Sequence, residues 1–313
     1  MPAIRPSNWV PRSPRYVAGT QPEGRGILTR TKDAAYAPAV AAALVTGAGR
    51  GLGAEIARVL AARGLTVHVT DVDEGSAASA AEDIGHAAFF SKLDVRDREA
   101  CESAAAMTLE RTGSLDVWVN NAGILVTGHV WDHDPDTYRL LFEVNTLGTI
   151  NGTLAALGPM RQARRGHVIN IVSLAGLGAP PGEALYGATK HAAIAFTLGT
   201  LGDLRREGLK DIHVSAVCPD GIWTPMIADK LDDPDAAPSF SGQLMRAETV
   251  APKVAELLDR PRPVLTVPRW RGLVVRLLDA FPDVAARLIP LFMADARRRQ
   301  RRWKKRIEAG ELP

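Results

Sequence analysis

The sequence predicts a doubly wound parallel α/β domain, on three observations. Short apolar runs alternate with helix-period segments from Ala41 onward. A glycine cluster, Thr46-Gly47-Ala48-Gly49-Arg50-Gly51-Leu52-Gly53, joins the first apolar run, Ala41 to Val45, to a helical pattern with Ile56, Val59 and Leu60 on one face. A second apolar run, Leu65 to Val69, closes on Thr70 and Asp71. Strands covered by helices on both faces read as unbroken apolar runs. Their alternation with helices makes a parallel sheet.

Taken in order, strands are expected at 42–47, 65–70, 88–93, 115–120, 167–173, 212–218 and 264–267. Helices are expected near 52–63, 76–84, 97–112, 135–163 and 184–207. Asp134-Pro135 marks a helix start, a capping carboxylate followed by proline at the first helical position. Residues 1–40, rich in Pro, Arg and Gly without a sustained period, read as an extended or disordered arm. The body is then 41–268 and a basic, helical extension fills 269–313. Within the body, 221–250 breaks the rhythm. Trp223, Met226, Ile227, Leu231, Phe240, Leu244 and Met245 stand among Pro225, Pro234 and Pro238. So much apolar surface on a long loop suggests a lid over a bound small molecule.

Composition sets further bounds. A chain of 313 residues, 46% hydrophobic, can bury a full core. No apolar run is long enough to span a bilayer, and the first forty residues lack the apolar core of a signal peptide. Cys101 and Cys218 suit a reducing compartment better than a disulfide, so a cytoplasmic location is expected. The net charge of +3 is unevenly spread: residues 260–313 hold fourteen Lys and Arg against five Asp and Glu. Basic ends on an acidic body suggest that the ends meet something anionic.

The glycine loop has a specific chemistry. Glycines permit backbone conformations closed to other residues and close approach to a pyrophosphate, and the helix beginning near Leu52 aims free N–H groups and its positive dipole end at one. Asp71 at the end of the second strand can accept hydrogen bonds from both adenosine ribose hydroxyls and repels a 2′-phosphate. NAD is therefore favoured over NADP, although Arg50 could pair with that phosphate.

A second constellation carries reaction chemistry. Ser173 closes the fifth apolar run, and thirteen residues later Tyr186 opens a helix with Lys190 one turn on. Tyrosine and lysine at i and i+4 share a face. A phenol with a pKa of about 10 is a poor base, and a neighbouring cation lowers it towards the working range. His129 and His133, with Asp132 and Asp134, are read as a solvated loop rather than a metal site.

These motifs, in this order, resemble the short-chain dehydrogenase/reductase family over about residues 40–268. The resemblance implies a Rossmann-type sheet and an NAD(P)-dependent oxidoreductase acting on CH–OH groups. It implies that Thr46, Gly47, Gly49, Arg50, Gly51, Leu52 and Gly53 form the cofactor loop, with Asp94 and Val95 at the adenine. Asn121, Ala122 and Gly123, from Asn120-Asn121-Ala122-Gly123, would line the cofactor cleft. Pro219, Gly221, Ile222 and Thr224 resemble the segment that meets the nicotinamide carboxamide. Asn145, Ser173, Tyr186 and Lys190 match the catalytic set. Tyr186 would exchange the proton while hydride moves to or from the nicotinamide, and Lys190 would also bind the nicotinamide ribose. Ser173 would hold the substrate oxygen, and Asn145 would hold a water that relays the proton. One departure stands out: Asp220 follows Pro219 where the family usually has glycine.

The extension lies outside that pattern. Leu273, Val274, Leu277, Leu278 and Phe281, then Val284, Leu288, Ile289, Leu291, Phe292 and Met293, recur at helical spacing before the cationic run Arg297 to Arg306. Apolar helical faces beside a basic cluster suit peripheral contact with a membrane surface through 269–306. Packing on the chain's own body or on a partner subunit is the close alternative, and nucleic acid ranks last for want of a recognition module. The expected substrate is a lipophilic secondary alcohol or ketone. The Ala-rich helix from Ala188 to Leu204 suggests a homodimer or homotetramer. The reading from another class is a nucleotide-binding scaffold or sensor without turnover.

Overall fold

The computed structural model describes residues 41–311, so the arm expected at 1–40 lies outside the described residues. β1 (Ala42–Thr46) passes through the glycine loop into α1 (Gly51–Ala62), which returns as β2 (Thr66–Asp71). α2 (Glu74–Ile84) starts two residues earlier than expected because the Asp73 carboxylate accepts from the Gly75 and Ser76 N–H groups. β3 (Ala88–Lys92), α3 (Arg98–Thr112) and β4 (Val117–Asn120) follow. Then come α4 (Pro135–Phe142), α5 (Gly148–Ala163), β5 (Gly166–Ile171), α6 (Ala184–Arg206) and β6 (Ile212–Pro219). Asp134 caps α4 as expected, accepting from the Thr137 N–H at 2.7 Å.

The strands form a seven-stranded parallel sheet in the order β3-β2-β1-β4-β5-β6-β9, the last being β9 (Val264–Val267). The order in which successive strands are added reverses between β1 and β4, and such switch points are where open α/β sheets hold ligands. Alternate residues of each strand feed opposite layers. Ala43, Val45, Val67, Val69, Val117 and Val119 pack with α1 and α2. Leu44, Trp118, Val168 and Val214 pack with α3 and α5 on the other face. Cys101 and Cys218 are both buried and free.

The structure departs from the sequence expectation in three places. The single helix expected over 135–163 is interrupted by a π-wound turn, Glu143–Leu147, with Asn145 buried inside it. Such turns widen a helix where a side chain must be re-aimed. β5 stops at Ile171, and Ser173 instead caps a short 3₁₀ turn, its hydroxyl accepting from the Ala175 N–H at 3.1 Å. A capping hydroxyl competes with continued strand pairing. The region 221–250 is built rather than loose. β7 (Ile222–Trp223) pairs with β8 (Met245–Arg246), and between them lie α7 (Pro225–Ala228) and a 3₁₀ segment over Pro234–Phe240. α8 (Ala247–Ala255) was not expected beyond residue 250. It forms because Val250, Ala251 and Val254 bury against the layer containing α1.

In the extension, α9 (Arg269–Asp279) and α10 (Pro282–Glu308) turn back over the body, in line with the close alternative of packing on the chain itself. Ala296 and Gln300 of α10 are buried, and the Gln300 amide donates to the carbonyls of Lys230 and Asp233 at 3.2 and 2.7 Å. Trp303 packs against the small buried cluster of Ile227, Ala236, Phe240 and Leu244. One face of the basic extension thus packs on the chain's own body.

Candidate active site

The C-terminal ends of β1, β2, β4, β5 and β6 open on one cleft of about 1250 Å³, and α7, α9 and α10 roof it. Its floor is the glycine loop. Gly47 and Gly51 have φ of +59° and +60°, so a side chain there would be strained. A Cβ on Gly47 would come within 2.7 Å of Ala122, and one on Gly53 within 2.3 Å of the Gly47 carbonyl. Thr46, Gly49 and Gly53 support the loop from behind. The Thr46 hydroxyl accepts from the Asn121 and Ala122 N–H groups, while the Asn121 amide donates to the carbonyls of Thr46 and Gly47.

Gly47, Arg50, Gly51, Leu52 and Asp71 face the cleft. Arg50 precedes α1 without any side-chain cap, so the first turn of that helix presents N–H groups that no side chain of its N-cap satisfies. An uncapped helix N-terminus under a glycine loop fits the pyrophosphate of a dinucleotide. Asp71 accepts from the Gly49 N–H at 3.0 Å and the Asp73 N–H at 3.1 Å, which fixes its carboxylate at the rim. Asp94 and Val95 also line the cleft, but the Asp94 carboxylate is held by Arg96 at 2.6–3.0 Å. The side-chain hydrogen bond from Arg96 keeps Asp94 below the usual carboxylate range.

At the inner end, Ser173, Tyr186 and Lys190 come together with Ala122, Gly123, Pro219, Gly221, Ile222 and Thr224. The Lys190 ammonium lies 5.5 Å from the Tyr186 ring centroid and donates to the Ile171 carbonyl at 3.3 Å. Burial pushes it down to about 8. For Tyr186 the balance in this chain is the reverse of the expected lowering. Burial and the Glu183 carboxylate push the phenol above its usual value, and its hydrogen bond with Ser173 pulls back only in part. Asn145 does not open on the cleft. Its amide oxygen accepts from the Ile124 N–H at 2.9 Å, and its amide nitrogen donates to the Ile124 carbonyl at 2.9 Å and Thr189 Oγ1 at 3.1 Å. His129 and His133 lie apart from this cluster, His129 stacking on Trp131.

Two features were missed from sequence. Glu183 is buried three residues before Tyr186, accepting from the Ser239 hydroxyl at 2.6 Å; burial pushes it up to about 7. Its position one helical turn from Tyr186 was the available signal. The second is the partner of Asp220. Its carboxylate meets Arg271 of α9 at 2.9 Å, with side chains 6% and 16% exposed, and Arg271 also donates to the Ser241 hydroxyl at 2.9 Å. Asp220 therefore ties the loop after β6 to the roof. Burial raises its pKa, and Arg271 opposes that rise.

With this geometry in hand, the chain can be set beside known proteins. Residues 41–235 match the model of the short chain dehydrogenase family. The chain belongs to that family, as an oxidoreductase acting on CH–OH groups. It is 40% identical over 195 residues to the trans-4-hydroxycyclohexanecarboxylate dehydrogenase of Sinomonas cyclohexanicum, covering 59% of this chain and 74% of that protein. It is 35% identical over 212 residues to the cyclopentanol dehydrogenase of a Comamonas strain, covering 67% and 84%. Among solved structures it resembles a short chain dehydrogenase/reductase from Burkholderia phymatum in complex with NAD. That match has a TM-score of 0.71 and 26% identity, covering 79% of this chain and 95% of that one. It also resembles ElxO with NADP bound, with a TM-score of 0.64, 26% identity and coverage of 72% and 96%.

Proposed function

We propose that the protein oxidises lipophilic cyclic secondary alcohols with NAD and, in reverse, reduces the matching ketones. The observation that carries this reading is the grouping of Ser173, Tyr186 and Lys190 beneath a roof of Val274, Leu278, Ile289 and Phe292. A polar reacting end under apolar walls suits a molecule with one hydroxyl on a hydrocarbon ring, and the two relatives named above carry cyclic alcohols in their names.

When bound, the nicotinamide supplies the hydride acceptor. Tyr186 takes the hydroxyl proton as general base and returns it as general acid in the reverse direction. Ser173 hydrogen-bonds the substrate oxygen. Lys190 stabilises the phenolate, and with the cofactor's positive ring it offsets the burial that now holds the phenol proton. Asn145 is a positioning residue in this reading: its side chain holds Ile124 and Thr189 in place rather than offering its amide to a relay water. Asp71 selects NAD by repelling a 2′-phosphate, and Thr224, Ile222 and Gly221 hold the carboxamide end. The NADP alternative keeps support from Arg50, which lines the same cleft.

The reading extends to assembly and location. A homodimer or homotetramer would use α5 and α6, where Leu154 and Leu198 are exposed. A membrane surface would be met by residues 269–306 of an otherwise cytoplasmic chain. No helix among the described residues is long and apolar enough to cross a membrane. The test is reduced-nicotinamide absorbance with NAD and NADP over secondary alcohols from polar to cyclic and lipophilic. Tyr186→Phe should abolish turnover while keeping nucleotide binding. Bound nucleotide without turnover in either form would favour the scaffold or sensor instead.

A further inference from the structure

α9 and α10 are apolar on two sides, and the cleft accounts for only one. Val274 and Leu278 of α9 and Ile289 and Phe292 of α10 face the cleft. Trp270, Leu273, Leu277 and Phe281 do not, and all are exposed; so are Val284, half exposed, and Leu291, 70% exposed. On α10 the outward side continues at intervals of seven: Val284, Leu291, Arg298, Lys305. Seven residues is close to two helical turns, so these four lie along one face, with Arg287 and Arg302 beside them. The first half of that face is apolar and the second half cationic.

The cations of this face are not used by the fold. Of the other basic residues of α10, Arg299 pairs with Asp295, Lys304 with Asp232 and Arg306 with Glu311. Arg287, Arg298, Arg302 and Lys305 meet no carboxylate among the described residues. The outward side of α9 adds Arg269 and Arg276, likewise without one. Val274, Leu278, Leu288 and Ile289 both line the cleft and reach solvent. The hairpin thus offers apolar side chains both to the cleft and to solvent.

We propose that the outward face of the α9–α10 hairpin docks on an anionic lipid bilayer and sets the mouth of the cleft against the lipid. The proposal rests on the lipophilic-substrate reading and deepens it, because the bilayer becomes the phase from which substrate enters. Charge complementarity selects this occupant. A second copy of the chain would bring the same unpaired cations to the interface, since a two-fold contact repeats one patch on both partners, and the acidic residue on this face of α10, Asp295, is already paired with Arg299. Anionic headgroups receive them, while Leu273, Leu277, Phe281, Val284 and Leu291 enter the acyl boundary and Trp270 sits at headgroup level.

The test is co-sedimentation of the full chain with vesicles of phosphatidylcholine alone and of phosphatidylcholine mixed with phosphatidylglycerol. Binding is expected on the mixed vesicles and should weaken as salt screens the charges. R298A/R302A/K305A should lower the partition coefficient about a hundredfold, at about fivefold for each charge removed. V284E/L291E should abolish binding. Neither variant touches the cleft, so turnover of a soluble alcohol such as cyclopentanol should be unchanged in both. Absence of binding by the native chain, or binding that survives both variants, overturns the proposal. A native dimer that V284E/L291E splits in sedimentation velocity, with no vesicle binding, also overturns it and makes the face a subunit contact. Binding with the expected variant losses in a chain that turns over no alcohol supports the docking surface while overturning the substrate reading.

Discussion

Replacing Arg271 with methionine would leave the Asp220 carboxylate, 6% exposed, without its counter-charge. Removing one partner of a buried ion pair costs about 3–5 kcal/mol, because the other charge stays desolvated. At about 2–4 °C for each kcal/mol in a chain of this size, the melting temperature should fall by roughly 6–20 °C. The loss should depend on pH. Burial already raises the Asp220 pKa in the folded chain, and loss of Arg271 removes the main opposing influence. A folded-state pKa above the unfolded value of about 3.9 means that the folded chain holds the extra proton. Stability then falls as pH rises from the unfolded value through the folded one. The R271M deficit should therefore be larger at pH 8 than at pH 5. Adding Asp220→Asn should restore most of it, since no charge then remains buried. Thermal unfolding followed by circular dichroism at both pH values is the assay. A deficit below about 1 kcal/mol that ignores pH, a size typical of an exposed ion pair, would refute the view that this pair locks the roof to the loop.

Two further outcomes test the site. Asp71→Ala should raise kcat/KM for NADP relative to NAD by on the order of tenfold to a hundredfold, since a fixed carboxylate no longer opposes the 2′-phosphate; an unchanged ratio would move cofactor selection to Arg50. Glu183→Gln should shift the rising limb of the pH profile for alcohol oxidation to lower pH. The carboxylate raises the Tyr186 pKa, so its removal eases formation of the phenolate. Because Glu183 itself lies at about 7, the native chain carries that charge mainly above this pH, and the difference should be read there. A limb that stays in place, or moves up, would detach Glu183 from Tyr186.

Much of the site was legible because its chemistry is local in sequence. The glycine loop, the acid closing the second strand and the Tyr186–Lys190 spacing each depend on one turn or one strand–helix unit. The alternation of apolar runs with helical segments then dictates a parallel sheet whose strand ends gather those units on one edge. The limits of local reasoning appear at Ser173 and Asn145. Both were read as residues of a regular strand or helix. In fact one caps a 3₁₀ turn and the other sits in a π turn. Each is decided by a hydrogen bond that competes with regular structure, and for Asn145 the competing partners lie on another segment.

By itself, then, the sequence determined the fold class and singled out the glycine loop and the set Ser173, Tyr186 and Lys190 that the fold gathers at one cleft, because their periods and spacings operate within a few residues. Only the tertiary structure decided which way the C-terminal helices face. Their helical period reveals apolar residues but not whether an apolar face meets protein, cleft or solvent. That choice depends on contacts between residues far apart in the chain, such as Gln300 with Asp233 and Arg271 with Asp220. It makes one side of the hairpin the cleft roof and leaves the other exposed. The state of Tyr186 was likewise decided in three dimensions. The lysine one turn away suggests a lowered tyrosine pKa, whereas burial and Glu183 raise it, because desolvation is a property of the whole surrounding structure.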